Sequence, residues 1–486
     1  MSEKLMKKES IYGILLKATF IFIVLQPVFD LLSFLYIRGF IPVGISTYGK
    51  PLIIGLINIA LLLTYKKQIP RVAVTYGLYL LLMVVHSLFL YGFRTETSVI
   101  LHEIRFMINI LYMLICYFDL KILYDEAQDK AQFTTTLKIV LLATFGLYIL
   151  LFLVAVVTGT SGRTYEYSDV LKQGYKGWMD SGQIFGHALC VCLPVITYLL
   201  LHNKEKNRLV AVLLKFAVAL PVLVLCLIGT KVTYYIPVMV LASQLALEIF
   251  FAARDKKLKY FINGAICLAC VAATLLAYPV TPVKVNIDIN NSVLSEDPNE
   301  ESLDNLLDKD KDMLNGDVVA DDEPQNAYEK NLYWNEKALD KLMSKYQNGE
   351  LHPADMRNKQ LIFNTEKFKL SDIQYKIFGI GYLNQYDMAI ERDVLCVLFS
   401  FGILGFLLVL ARPVWLWLRS AFVIVKNLLK TDMLTLCLFE GFSMFFFISW
   451  FAGYTFIYTN FSIFLAVVMV LLNHGVNKIS SEEGTK

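Results

Sequence analysis

Three consecutive charged residues, Glu391, Arg392 and Asp393, open an apolar run that lasts until Arg412 and holds Gly402 and Gly405. A carboxylate at such a mouth can take a proton from a hydroxyl. A guanidinium beside it can grip an oxyanion through paired N–H donors. Acids here also suit the positive end of a helix dipole, which needs no chemistry. Other ionisable residues lie within or at the ends of apolar runs: Asp30, Lys50, His102, Glu103, Arg105 and Lys231. Charges at membrane depth are costly and usually face a cavity or one another. Together they suggest a polar cavity rich in cations, suited to an anionic ligand such as a pyrophosphate at the membrane surface.

The elements that must position these residues are membrane spans. Of the 486 residues, 56% are hydrophobic and 18% charged, against about 25% charged in soluble proteins. Repeated apolar runs near 20 residues identify an all-α polytopic membrane protein. Twelve spans are expected, near 11–32, 42–64, 73–91, 101–118, 137–157, 182–202, 208–228, 231–251, 259–279, 391–411, 433–451 and 455–473. The first is expected to be a retained helix rather than a signal peptide. The tails and even-numbered connections are basic, as in "MSEKLMKKES" and "YKKQIPR". The positive-inside rule then puts both termini in the cytoplasm and Glu391 outside. Residues 412–430 read as an amphipathic helix along the inner interface.

Residues 1–279 thus carry spans one to nine, 280–390 form a large extracytoplasmic loop, 391–473 carry spans ten to twelve, and 474–486 form a cytoplasmic tail. The loop's segment 296–323 holds twelve carboxylates against Lys309 and Lys311, as expected of a solvated linker. Its "DKDKDMLNGDVVADDE" lacks a calcium loop's glycine at position six and glutamate at position twelve, where Met313 and Val319 stand. Short helices are expected over 326–368, on the outer membrane surface. A smaller external loop, 158–181, carries Tyr165, Tyr167, Tyr175 and Trp178, aromatic residues at the depth of an interfacial belt. All eight cysteines fall in apolar runs, which excludes a disulfide-stapled external domain. Cys267 and Cys270 read as packing residues. Glu391, Leu395, Leu398, Gly402 and Gly405 would form one helical stripe, its glycines admitting a neighbouring helix.

The stretch "FGIGYLNQYDMAIERDVLCVLFSFGILGFLLVL" resembles the signature of the O-antigen ligase and O-antigen polymerase superfamily, in a Gram-positive-type form. Gly379 and Gly381 match its GxG, Gly402 and Gly405 its later glycine pair, and Glu391 stands where the ligases usually carry histidine. Arg357 matches the family's loop arginine, and Lys231, in "LIGTKVTYYIPVMVLA", its mid-chain cation. "GWMDSGQIFGHALCVCLPV" resembles a further segment, with Gln183 in place of asparagine. The resemblance implies glycosyl transfer from a polyprenyl-pyrophosphate-linked glycan to a glycan or surface-polymer acceptor, outside the bacterial cytoplasmic membrane. It implies no nucleotide sugar, no metal and no other cofactor, and no nucleic acid partner is expected.

On this reading Glu391 and Arg357 are catalytic: Glu391 takes the acceptor's proton, and Arg357 stabilises the departing pyrophosphate in an inverting displacement. Lys231, Arg392, Arg105 and Lys50 would bind pyrophosphate, and Asp393 and Asp30 would orient the other groups. A transporter or flippase of lipid-linked glycans is the alternative, since it too would need a cationic cavity. A non-catalytic partner of a wall-polymer complex is a third reading. The sequence leaves ligase and polymerase undivided.

Overall fold

The computed structural model describes residues 3–91, 97–166, 172–295, 327–352, 355–381 and 390–483. The acidic segment 296–323, its calcium-like run and Tyr167 lie outside them, as does the side chain of His102. The described chain is almost entirely helical. The first half holds α1 (Glu3–Val24), α2 (Gln26–Ile37), α3 (Ile45–Thr64), α4 (Ile69–Tyr91), α5 (Thr97–Glu126), α6 (Lys130–Val157) and α7 (Gly182–Leu201). Next come α8 (Arg208–Phe216), α9 (Ala219–Ile228), α10 (Lys231–Asp255), α11 (Leu258–Ala277) and α12 (Pro282–Ser295). The second half holds α13 (Ala327–Gln347), α14 (Met356–Leu370), α15 (Ile373–Phe378), α16 (Asp393–Lys426), α17 (Met433–Phe451) and α18 (Thr459–Glu483). A small hairpin of β1 (Gly162–Arg163) and β2 (Tyr175–Gly177) lies between α6 and α7.

Eleven of the described helical segments are long and apolar enough to cross a membrane, or twelve if the bent pair α1–α2 is one span. The 48° bend falls at Leu25, just before Pro27, whose missing N–H breaks the helical ladder. The chain is a polytopic all-α membrane protein. Helices α7, α18 and α5 are the most enclosed, and α18 packs against both of the others. Leu52, Leu56 and Leu63 of α3 instead point outward, as side chains facing lipid tails do.

Two expectations need correction. Residues 412–426 do not form a separate interfacial helix but continue α16, 34 residues long. Their arginines find partners on neighbouring spans: Arg412 donates to the Tyr117 hydroxyl at 3.0 Å, and Arg419 to Asn473 and Asn477 at 3.2 and 2.7 Å. The segment therefore packs on the bundle. The single stripe from Glu391 to Gly405 is also absent. Glu391 precedes the helix, and Gly402 breaks it with φ 66° and ψ −171°.

That break explains the glycine spacing. After α15 the chain runs beside the break, where the Ile380 and Gly381 amides donate to the Phe399 and Ser400 carbonyls at 2.9 and 3.1 Å. A Cβ on Gly379 (φ +97°) would lie 1.9 Å from the Ser400 carbonyl oxygen, and one on Gly402 2.4 Å from that of Ile377. Backbone meets backbone here, which only glycine permits. His86 of α4 braces the junction, its Nδ1 donating to the Phe378 carbonyl at 2.8 Å and its Nε2 2.9 Å from Glu103 Oε1.

Candidate active site

Glu391 is placed by the residues just after it in the chain. The Asp393 carboxylate is fully buried and does not reach Arg392; it takes the Tyr454 and Thr455 amides at 3.0 and 2.6 Å, and the Thr455 hydroxyl. Asp393 thus ties the start of α16 to the turn between α17 and α18. Gly453 and Tyr454 hold that turn with φ of +71° and +56°. A Cβ on Gly453 would fall 1.3 Å from the Glu391 carbonyl oxygen, so the turn can lie this close only with glycine there. The conformation aims the Tyr454 ring back at the mouth, where its hydroxyl donates to Glu391 Oε1 at 3.1 Å.

From the other side Arg357, one residue into α14, donates Nε–H to Glu391 Oε2 at 2.8 Å. An Asp355 N-cap, accepting the Asn358 amide at 3.2 Å, fixes the start of that helix. The glutamate therefore has a donor on each oxygen, yet its side chain stays 30% exposed and that of Arg357 48%. Both face solvent that a substrate could replace. No bond from the Arg357 terminal nitrogens to another described residue is present, so they remain for an oxyanion. Burial first, and then the charge of Glu391, push the Tyr454 hydroxyl above the usual tyrosine range, so it stays a proton donor.

The hairpin segment supplies the rest. Thr164 donates to the Ile228 carbonyl at 2.7 Å, and Asn286 of α12 bridges the Gln173 and Gly229 carbonyls at 2.6 and 2.8 Å. The segment is thus docked on the turn that leads into α10. Tyr165 is half-buried and hydrogen-bonded to Gln183, within the fields of Arg357 and Glu391. Lys172 lies over the Tyr165 ring at 5.3 Å. Burial and then the Arg357 and Lys231 charges lower its affinity for a proton, with Glu391 acting the other way. Lys231 itself is exposed at the first position of α10, after a reciprocal Thr230–Thr233 cap. Lys172 therefore lies within the fields of Arg357, Lys231 and Glu391 together.

The remaining expected site residues are elsewhere or differently engaged. Arg392 is half-buried, its Nε enclosed without a hydrogen-bond partner. Lys50 and Asp30 are both buried and pair with each other at 2.7 Å; Tyr148 donates to Asp30 at 2.8 Å and Lys50 to Asn460. They brace the start of α18 from inside the bundle. Arg105 is exposed, and its charge acts on Asp180 beside Lys176. Tyr175 is exposed, and Trp178 donates to Thr160 at 2.9 Å. Tyr454 and Lys172 were not singled out from sequence. The adjacent Gly453 was the only local signal for Tyr454, and nothing marked Lys172 among the other loop lysines.

The sequence model of one family, described as O-antigen ligase like membrane protein, matches residues 14–478. No curated protein matches the chain. Family membership makes it a glycan-transferring enzyme of cell-surface glycan assembly. The matched span includes every element of the site just described, and the chain belongs to the O-antigen ligase-like family of membrane proteins.

Proposed function

We propose that the chain moves a glycan from a polyprenyl-pyrophosphate carrier to an acceptor hydroxyl at the outer face of the bacterial cytoplasmic membrane, both termini being cytoplasmic. The observation that carries this reading is a partly exposed Glu391 carboxylate gripped by Arg357 and Tyr454, with Lys172 within the fields of Arg357, Glu391 and Lys231. The acceptor oxygen attacks the anomeric carbon as the bond from that carbon to the phosphate oxygen breaks. Its proton goes to Glu391, and the electron pair leaves with the lipid pyrophosphate. Inversion at that carbon follows from a single displacement.

Each side chain then has a task. Arg357 holds Glu391 through Nε and offers its terminal nitrogens to the phosphate, where charge grows as the bond breaks. Lys231 and Lys172 add point charges on the same side, and Arg392 brings a buried, unpaired Nε–H to the mouth. Tyr454 fixes the carboxylate, and Asp393 fixes Tyr454. No step in this displacement calls for a metal or a cofactor.

The test in cells is a mass-spectrometric inventory of lipid-linked and surface glycan in a strain carrying Glu391→Gln at matched protein level. The expected result is accumulated lipid-linked glycan with lost surface polymer. The length of the glycan in the pool separates ligase from polymerase. An unchanged inventory would remove Glu391 as the base.

A further inference from the structure

Between α4, α5 and α16 runs a groove of about 960 Å³ that no step above uses. Its walls are apolar, with Leu78, Leu82 and Leu407 among them, and its charged lining residues are Arg71, Lys121 and Arg412. All three cations lie at the end remote from Glu391. Arg71 is near the start of α4, whereas His86, near that helix's other end, touches the Phe378 carbonyl beside Gly379. The end nearest the active site is closed by Phe378, stacked on Phe89 at 5.2 Å, and carries no charge. From Arg71 to Val85 the groove follows fourteen helical steps, about 21 Å at about 1.5 Å each. That length exceeds the roughly 15 Å of hydrocarbon in one leaflet.

Among the described residues, the charge of these three cations is only partly balanced. Asp125 accepts from Arg71 at 3.0 Å and from Lys121, while Arg412 turns to the Tyr117 hydroxyl. Two of the three cations therefore share one carboxylate, the third has no carboxylate partner among the described residues, and the Arg71 side chain is 57% exposed. A pyrophosphate-linked donor would need its cations at the other end, beside Glu391. We propose that this groove binds one anionic phospholipid of the leaflet opposite the Glu391 mouth. Its phosphate sits among Arg71, Lys121 and Arg412, and one acyl chain lies along Leu78, Leu82 and Leu407.

The full chain, released from bilayers of equal phosphatidylglycerol and phosphatidylcholine, is weighed by native mass spectrometry. One phosphatidylglycerol should stay bound with about tenfold preference over phosphatidylcholine. The triple substitution Arg71→Gln, Lys121→Gln and Arg412→Gln should abolish that preference. Leu407→Trp, which fills the groove and keeps the cations, should lower retention of phosphatidylglycerol and guards against misfolding of the triple variant. The proposal is overturned by equal retention of both lipids, or by a preference that survives the triple substitution. It is also overturned if soluble glycerol phosphate displaces the lipid at equal concentration, which would make this an anion site only. Displacement by polyprenyl phosphate would overturn it as well, giving the groove to the donor's tail.

Discussion

At the scale of single residues, the site depends on what a carboxylate, a guanidinium and a phenol do when held about 3 Å apart, the length of an ordinary hydrogen bond. Arg357→Lys keeps a charge but loses the fork whose Nε holds Glu391 and whose other nitrogens, in the proposed reaction, would grip a phosphate. Losing a hydrogen bond to a charged group costs about 1.5–3 kcal/mol, about 10–100-fold in rate. Steady-state transfer by purified protein should fall by that factor; full activity would move the phosphate contact to Lys231 or Lys172. The Tyr454 hydroxyl is raised above the ordinary tyrosine value by burial and then by the charge of Glu391. It therefore remains a donor as pH climbs through about 10, where a free tyrosine ionises. Transfer should show no loss there that Tyr454→Phe removes. A fall in rate near pH 10 that disappears in Tyr454→Phe would contradict the assignment.

At the scale of elements, the glycines decide the geometry. Gly379→Ala would push a methyl into the Ser400 carbonyl, 1.9 Å away, at a φ of +97°. Backbone strain of this kind costs about 1–3 kcal/mol before the clash is counted. The variant should lose thermal stability in detergent, and more than Gly146→Ala, whose added methyl meets nothing within 4 Å. Equal melting temperatures would mean the α15–α16 junction does not have this backbone contact. Much of this was legible in the sequence, since apolar runs mark spans directly, Gly402 and Gly405 could be picked out by spacing, and Gly379 and Gly381 by the family resemblance. Their roles were not legible: a glycine that breaks a helix and one that lines a helix face look alike until the φ angle is known. The turn of Gly453 and Tyr454 was hidden for a related reason. Its shape comes from Asp393, some sixty residues earlier, and local propensity carries no trace of that bond.

At the scale of the whole molecule, the question is which intramembrane charges serve substrate and which serve the bundle. Lys50 was expected to bind pyrophosphate, but in the bundle it neutralises Asp30 and reaches Asn460. Removing one partner of a buried pair costs about 3–5 kcal/mol, because the other charge is left unpaired. Lys50→Met should therefore depress yield and melting temperature, and Asp30→Asn on top of it should restore much of the loss. Loss of transfer in the double variant at normal stability would return Lys50 to the substrate. Burial separates the two lysines, and burial belongs to the folded assembly: Lys50 and Lys231 both sit near span ends in the sequence, yet one is enclosed and the other exposed.

The most direct test of the central claim uses purified protein in a bilayer, given a polyprenyl-pyrophosphate-linked glycan and a hydroxyl acceptor. Transferred glycan and released lipid pyrophosphate are measured together for the wild type and for Glu391→Gln. The account predicts one pyrophosphate released per glycan transferred, and a rate about 10²–10⁴-fold lower in the variant with donor binding retained. A variant that transfers within a few-fold of the wild type would show that Glu391 does not take the acceptor's proton.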